Sequence, residues 1–298
     1  MKPIDVLAGG VIKSLGLLPW AARPAAARSL QALLRLAYVR SPMNGIIEAM
    51  IARTLGVTTE QADRIARDNF HHMAMTLLES MGLGKLKREW DGRVEIYGLE
   101  YLRDALAEGR GAVLVSAHLG NYELIVRGLS LTGLPLTTIG WKQPNAYHFR
   151  YMDRLRQIHG TKLVYSQEAR TEDVVAILRA GGVLILAGDY YPRQGRNVLP
   201  FFGIRTSVPV GALHYSIQAG APLIPIYTLR EKFGYHRVHL EPPLNLPTQG
   251  DLYQATLELC VATFERWIRA HPEQYLWAIR HTDWGRMDGK SGVNMSRR

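Results

Sequence analysis

Cysteine is almost absent. Cys260 is the one cysteine in 298 residues, so no disulfide can form within the chain, and a reducing compartment suits it. Cys260 falls inside an apolar helical pattern and reads as a core thiol. Acidic residues are also scarce. The 26 Asp and Glu face 36 Lys and Arg, a net charge of +10, which favours an acidic partner. Nucleic acid, an anionic membrane, a phosphorylated substrate and an acidic carrier protein all qualify. Long apolar runs are missing too. Residues 4–39 are rich in Ala and Leu, but Lys13, Pro19, Arg23, Pro24, Arg28 and Arg35 interrupt them. No stretch reaches the roughly 18–20 apolar residues of a spanning helix. A signal peptide is not indicated either, because no small-residue cleavage site follows a clean apolar segment. Two amphipathic helices fit this region better, and they either lie in a membrane interface or pack on the core. Several motifs are absent: HExxH, paired CxxC, GxGxxG, the P-loop and GxSxG. His71 and His72 are adjacent and point apart on a helix. No metal site and no serine-hydrolase elbow is therefore expected.

Hydrophobic residues make up 47% of the chain and charged residues 21%, enough to bury a sizeable core. Residues 1–90 read as a helical, membrane-apposed region. It holds a helix at Ile46–Leu55 and another from the cap-like Thr58 towards Met81. From Val94 the pattern changes to short apolar runs alternating with amphipathic helices. Strands are predicted at 111–117, 136–139, 162–165, 183–187 and 223–229, and helices at 123–131, 146–159, 172–180, 210–219 and 252–270. Residues 235–240 alternate in polarity, which predicts an antiparallel strand at a sheet edge. The fold class is α/β: a mainly parallel mixed central sheet with helices on both faces and an N-terminal helical extension. The core should span 91–287, with a flexible tail at 288–298. The sequence contains no repeat and no low-complexity segment.

Ligands of such sheets sit beyond the carboxyl ends of the strands, and two strands end in chemistry-bearing residues. The first leads into Ser116-Ala-His118-Leu-Gly-Asn-Tyr-Glu123. His118 at the strand end, with Glu123 opening the next helix, suits a general base and its orienting carboxylate. In the alternative, Glu123 only complements the helix dipole and His118 satisfies a loop carbonyl. The second leads into Gly188-Asp189-Tyr-Tyr-Pro-Arg193-Gln-Gly-Arg196, followed by Leu199-Pro-Phe201-Phe202-Gly203. Asp189 suits the same site as His118. Arg193 and Arg196 suit phosphate, and Phe201 and Phe202 suit an acyl channel. A solvated basic loop above a Phe-containing core is the competing interpretation.

These residues resemble the lipid A biosynthesis acyltransferases, and are similar to phosphatidylinositol mannoside acyltransferase. His118-x4-Glu123 matches the family's H-x4-D/E motif. Leu186-Ala-Gly-Asp189 with Pro200-Phe-Phe-Gly203 matches a second block. Val208-Pro-Val-Gly-Ala with Gly220-Ala-Pro-Leu-Ile-Pro225 and Arg230 matches a third. Pro272-Glu-Gln-Tyr-Leu-Trp277 with Arg280 matches a fourth, and the whole runs from about residue 5 to 286 in the family's order. There are departures. Tyr190 stands where the family usually has Gln, Trp141-Lys142-Gln143 where it often carries Arg, and His281 where many members have a second Arg.

The resemblance implies transfer of an acyl chain from an acyl carrier protein or CoA thioester to a lipid hydroxyl, the thioester being a substrate and no cofactor being needed. The acceptor would be a lipid A precursor or related glycolipid, or else a lysophospholipid or aminolipid. It makes His118 the base, Glu123 or Asp189 its orienting group, and Asn121, Lys142, Arg193, Arg196, Phe201 and Phe202 substrate-binding. Anionic membrane lipids become the expected partner, nucleic acid does not, and the expected location is the cytoplasmic face of a bacterial inner membrane, held peripherally. Two rivals are a hydrolase that passes the acyl group to water and a silent basic membrane- or nucleic-acid-binding protein. Spread-out cations and the lack of an aromatic stacking platform weigh against the latter.

Overall fold

The computed structural model describes residues 14, 17–41, 43–80, 92–142, 153–154, 156–157, 160–189, 197–246 and 251–280. Among the described residues a short 3-10 turn, Trp20–Ala22, leads into the helices α1 (Arg23–Val39), α2 (Ile46–Leu55) and α3 (Thr59–Ser80). Thr58 and Gln61 cap the start of α3 reciprocally, each side chain accepting the other's backbone N–H. The order then runs β1 (Val94–Tyr97), α4 (Leu99–Ala107), β2 (Ala112–Ser116), α5 (Glu123–Ser130), β3 (Leu136–Gly140), β4 (Lys162–Tyr165), α6 (Thr171–Arg179) and β5 (Val183–Ala187). It continues with β6 (Val198–Phe201), β7 (Ile204–Ser207), α7 (Gly211–Ala219), β8 (Leu223–Lys232), β9 (Tyr235–Leu240) and α8 (Leu252–Ala270). Seven strands form one sheet in the order β1-β9-β8-β2-β5-β3-β4, while β6 and β7 make a separate hairpin. From β8 to β4 all neighbours are parallel. β9 runs antiparallel to β8, and β1 pairs with β9 in parallel. The antiparallel pairing of β9 agrees with its alternating pattern, but its edge position does not. β1 covers it, because Val94–Tyr97 supplies four more paired residues beside Gly98.

The central strands are buried on both faces, which explains their continuous apolar runs. Successive side chains alternate between faces. Val113, Val115, Leu184, Leu186 and Leu223 join one core with α2, α3, α6, α7 and α8. Ala112, Leu114, Val183, Ile185 and Ile224 join a second with α4 and α5. The helices that follow the neighbours β2 and β5 thus lie on opposite faces: α5 on the second core, α7 on the first. Connections that part this way leave a crevice at the carboxyl ends of the two strands. Helices α2 and α3 share the first core with Tyr275 and Trp277, so the N-terminal helices and the chain's last described segment close the same face.

Candidate active site

His118 and Asp189 meet just past the carboxyl ends of these two strands. β2 and β5 pair in parallel with Ser116 opposite Ala187, so His118 and Asp189 lie at the same level two residues further on. Strands about 4.8 Å apart place such residues within side-chain reach. The Asp189 carboxylate accepts twice from His118: from the ring Nδ1 at 2.8 Å and from the backbone N–H at 3.0 Å. Holding both ends of the residue fixes the imidazole's position and its tautomer. Nδ1 carries the proton, and Nε2 is left as the basic nitrogen. The His118 side chain keeps 23% of its surface exposed, whereas that of Asp189 is fully buried. Burial lowers the His118 pKa, but the Asp189 charge and hydrogen bond, helped by Glu123, outweigh it and raise it above 6.5. Tyr122 packs its ring edge-on against His118 at 4.7 Å between centroids.

Glu123 does not make this contact. It lies buried at the start of α5 and pairs through both oxygens with Arg156, whose Nε donates at 2.9 Å. Its effect on His118 is through its charge alone. Arg156 also contacts Asp153 at 3.3 Å, and Asp153 accepts from the Tyr165 hydroxyl at 3.0 Å. A lattice of charge therefore runs along the carboxyl edge from α5 to β4. Sequence reasoning missed Arg156. Its only signal was a cation within a helical pattern, and nothing local linked it to a carboxylate 33 residues earlier.

The other expected site residues divide. Lys142, just past β3, is exposed at the same edge and pairs with Glu168 at 2.6 Å. Asn121 is fully buried, and its amide donates to Glu79 at 2.9 Å, so it faces the protein interior rather than a substrate surface. Phe201 and Phe202 are buried in the first core, Phe202 against Trp277, so the rings pack within it instead of lining a channel. Alternation along β6 turns Leu199 and Phe201 inward together. Arg193 and Arg196 lie outside the described residues, as do the tail and most of the predicted 146–159 helix. Among the described residues, no group of three or more His, Cys, Asp or Glu is arranged to hold a metal ion.

The loop after His118 is built to one shape. Gly120 adopts a φ of 61°, and a Cβ there would lie 2.2 Å from the Thr228 carbonyl oxygen. The C-terminal segment splints it, for Leu276 donates to the His118 carbonyl at 2.9 Å and Gly120 donates to the Gln274 carbonyl at 3.0 Å.

Residues 3–282 match the family described as bacterial lipid A biosynthesis acyltransferase. The chain belongs to this family. Among its relatives is a phosphatidylinositol mannoside acyltransferase of Mycobacterium tuberculosis, 30% identical over 70% of this chain and 64% of that protein. A lipid A biosynthesis palmitoleoyltransferase of Escherichia coli is 24% identical over 75% of this chain and 72% of its own. The lipid A biosynthesis lauroyltransferase of Escherichia coli is 25% identical over 70% and 71%. The alignment thus spans a little under two thirds of the mycobacterial relative.

Proposed function

We propose that this family member transfers a fatty acyl group from an acyl carrier protein or CoA thioester to a hydroxyl of a lipid A precursor or related glycolipid, with His118 as general base. One observation carries the proposal: Asp189 holds the His118 Nδ1–H, which leaves Nε2 to act as the base. Nε2 takes the proton from the acceptor hydroxyl as its oxygen attacks the thioester carbonyl. A tetrahedral oxyanion forms, the C–S bond breaks, and the imidazolium returns the proton to the departing thiolate. Asp189 stabilises that imidazolium, the same interaction that raises its pKa. Glu123 and Arg156 hold one wall of the site.

The exposed face of α1 supports peripheral attachment at an anionic bilayer, on the cytoplasmic side where thioester donors are made. Leu33, Leu36 and Val39 are 62%, 49% and 50% exposed there, and Arg28 and Arg40 lie among them. Among the described residues no helix is long and apolar enough to cross a membrane.

Two acceptor classes appear in the relatives' names, and the mycobacterial one shows the higher identity, 30% against 24–25%. The test is a mass-spectrometric transfer assay. Carrier-protein and CoA thioesters of several chain lengths are offered with lipid A precursors in one arm and phosphatidylinositol mannosides in another. Wild type should add one acyl mass to one acceptor, and His118→Ala should lower the rate by about 10²–10⁴-fold. Free fatty acid without acylated lipid would identify a hydrolase. Intact thioester in both arms would reject acyl transfer between these substrates.

A further inference from the structure

Behind the His118 loop lies a buried charged cluster that the proposed chemistry does not use. Glu79, near the end of α3, is fully buried. Its Oε1 accepts from Arg230 Nε at 3.0 Å and from the Gly234 N–H at 2.8 Å. Its Oε2 accepts from Arg230 Nη2 at 2.9 Å and from Asn121 Nδ2 at 2.9 Å. His236 of β9 adds a contact at 3.3 Å. Arg230, on β8, is satisfied in turn by Thr76 at 2.7 Å and by His72 Nδ1 at 2.7 Å. Burial, then the charge of Arg230, pushes His72 down to about 3, so the ring is neutral and accepts this bond. The main chain of Arg230 completes the arrangement. Its N–H donates to Gln274 Oε1 at 2.9 Å, and its carbonyl accepts from Gln274 Nε2 at 3.2 Å. The Gln274 carbonyl accepts from Gly120 at 3.0 Å.

The contacts form a closed circuit: Gly120, Gln274, Arg230, Glu79, Asn121, and back to Gly120 through one peptide bond. Both ends grip the two residues that follow His118-Leu119. From this geometry we propose that the Glu79–Arg230 pair, acting through Asn121 and Gln274, consists of positioning residues that set the loop carrying His118. The circuit ties the His118 loop to three parts of the chain far apart in sequence: α3, the end of β8 and the 272–277 segment. Asp189 orients the imidazole within the loop, and the circuit orients the loop within the sheet. A buried ion pair rarely stabilises a fold better than apolar residues would, and such pairs can instead specify one arrangement.

The inference rests on the proposed role of His118, and its test must separate the two. Asn121→Ala and Gln274→Leu each cut one arm and leave the ion pair intact, so both variants should fold. Each should lower kcat by roughly ten- to hundredfold with KM for the thioester unchanged, as expected of a displaced base. The acid limb of the pH profile should not move, because Asp189 still holds the ring. Unchanged kcat per folded molecule, with only a lower melting temperature, would overturn the proposal. Hydrogen exchange gives a readout without activity. Amides in the 119–124 peptide should exchange faster in Asn121→Ala than in wild type, and equal protection would also overturn it. If wild type transfers no acyl group, the functional reading fails while the exchange measurement still decides whether the circuit holds the loop.

Discussion

His118 and Asp189 are 71 positions apart, so the sequence offers Asp189 as one of two candidate partners, and the pairing of β2 with β5 supplies the contact. Sequence spacing therefore favoured Glu123, five residues from His118, although its carboxylate turns to Arg156. The residue types of the candidate site are legible in the sequence, whereas which of the two carboxylates touches the imidazole depends on strand order. The pair carries a signed pH prediction. Because the His118 pKa is raised on folding, the pair's stabilising contribution is fully present below about 6.5 and is lost as pH rises through the folded value. Under the proposed mechanism activity should follow the opposite course, since a general base acts in its neutral form. The acid limb of kcat/KM should have its midpoint above 6.5, and Asp189→Asn should move it to lower pH while reducing kcat. Rate–pH profiles of both proteins check this, and an unmoved limb would show that another group titrates. Gly120 gives a second prediction. Alanine there meets both the positive φ and the Thr228 carbonyl at 2.2 Å, while alanine at Gly133 meets only a positive φ with open space around it. Gly133→Ala should cost about 1–3 kcal/mol. Gly120→Ala should cost more and lower activity, as denaturant unfolding and transfer rates would report.

At the scale of elements, strands β4, β5 and β9 begin and end where the sequence patterns place them. Each is a short apolar or alternating run bounded by turn residues. The β6–β7 hairpin was not legible because Pro200 interrupts the run, and proline within a strand argues against one. It is tolerated here because β6 pairs on one side only, with β7. Helix α1 was legible as amphipathic, but its period does not say which face stays bare. In the structure Ala27 and Tyr38 turn inward, and Leu33, Leu36 and Val39 turn out. Half-burying each of these three in a bilayer is worth about 1 kcal/mol. Changing all three to Ser should weaken binding to anionic vesicles by on the order of hundredfold. Transfer from a water-soluble thioester to a detergent-dispersed acceptor should persist, since all three side chains stand exposed on α1. Vesicle co-sedimentation checks the first outcome. Equal binding by the variant would remove α1 as the membrane contact.

Across the whole molecule, the excess of ten positive charges acts beyond any single contact. Arg230 and Arg23 are committed to interior contacts and Arg156 to a part-buried ion pair, whereas Arg28, Arg40 and Arg103 lie on the surface and contribute to its field. A field of this sign raises the encounter rate with anionic partners and weakens as salt screens it, over about 10 Å at 0.1 M ionic strength. An acidic carrier protein presents many charges over a wide area, a CoA thioester a few phosphates, and a pantetheine thioester none. The salt dependence of kcat/KM for the three donors therefore reports how the donor is captured. If the natural donor is a carrier protein, kcat/KM should fall by roughly tenfold or more between low and high salt for that donor, fall less for CoA, and stay flat for pantetheine, with kcat unchanged throughout. A flat response for the carrier protein would remove donor capture as a use of the basic surface. A parallel fall in all three, including the uncharged donor, would place the salt effect in the His118–Asp189 site itself rather than in donor encounter.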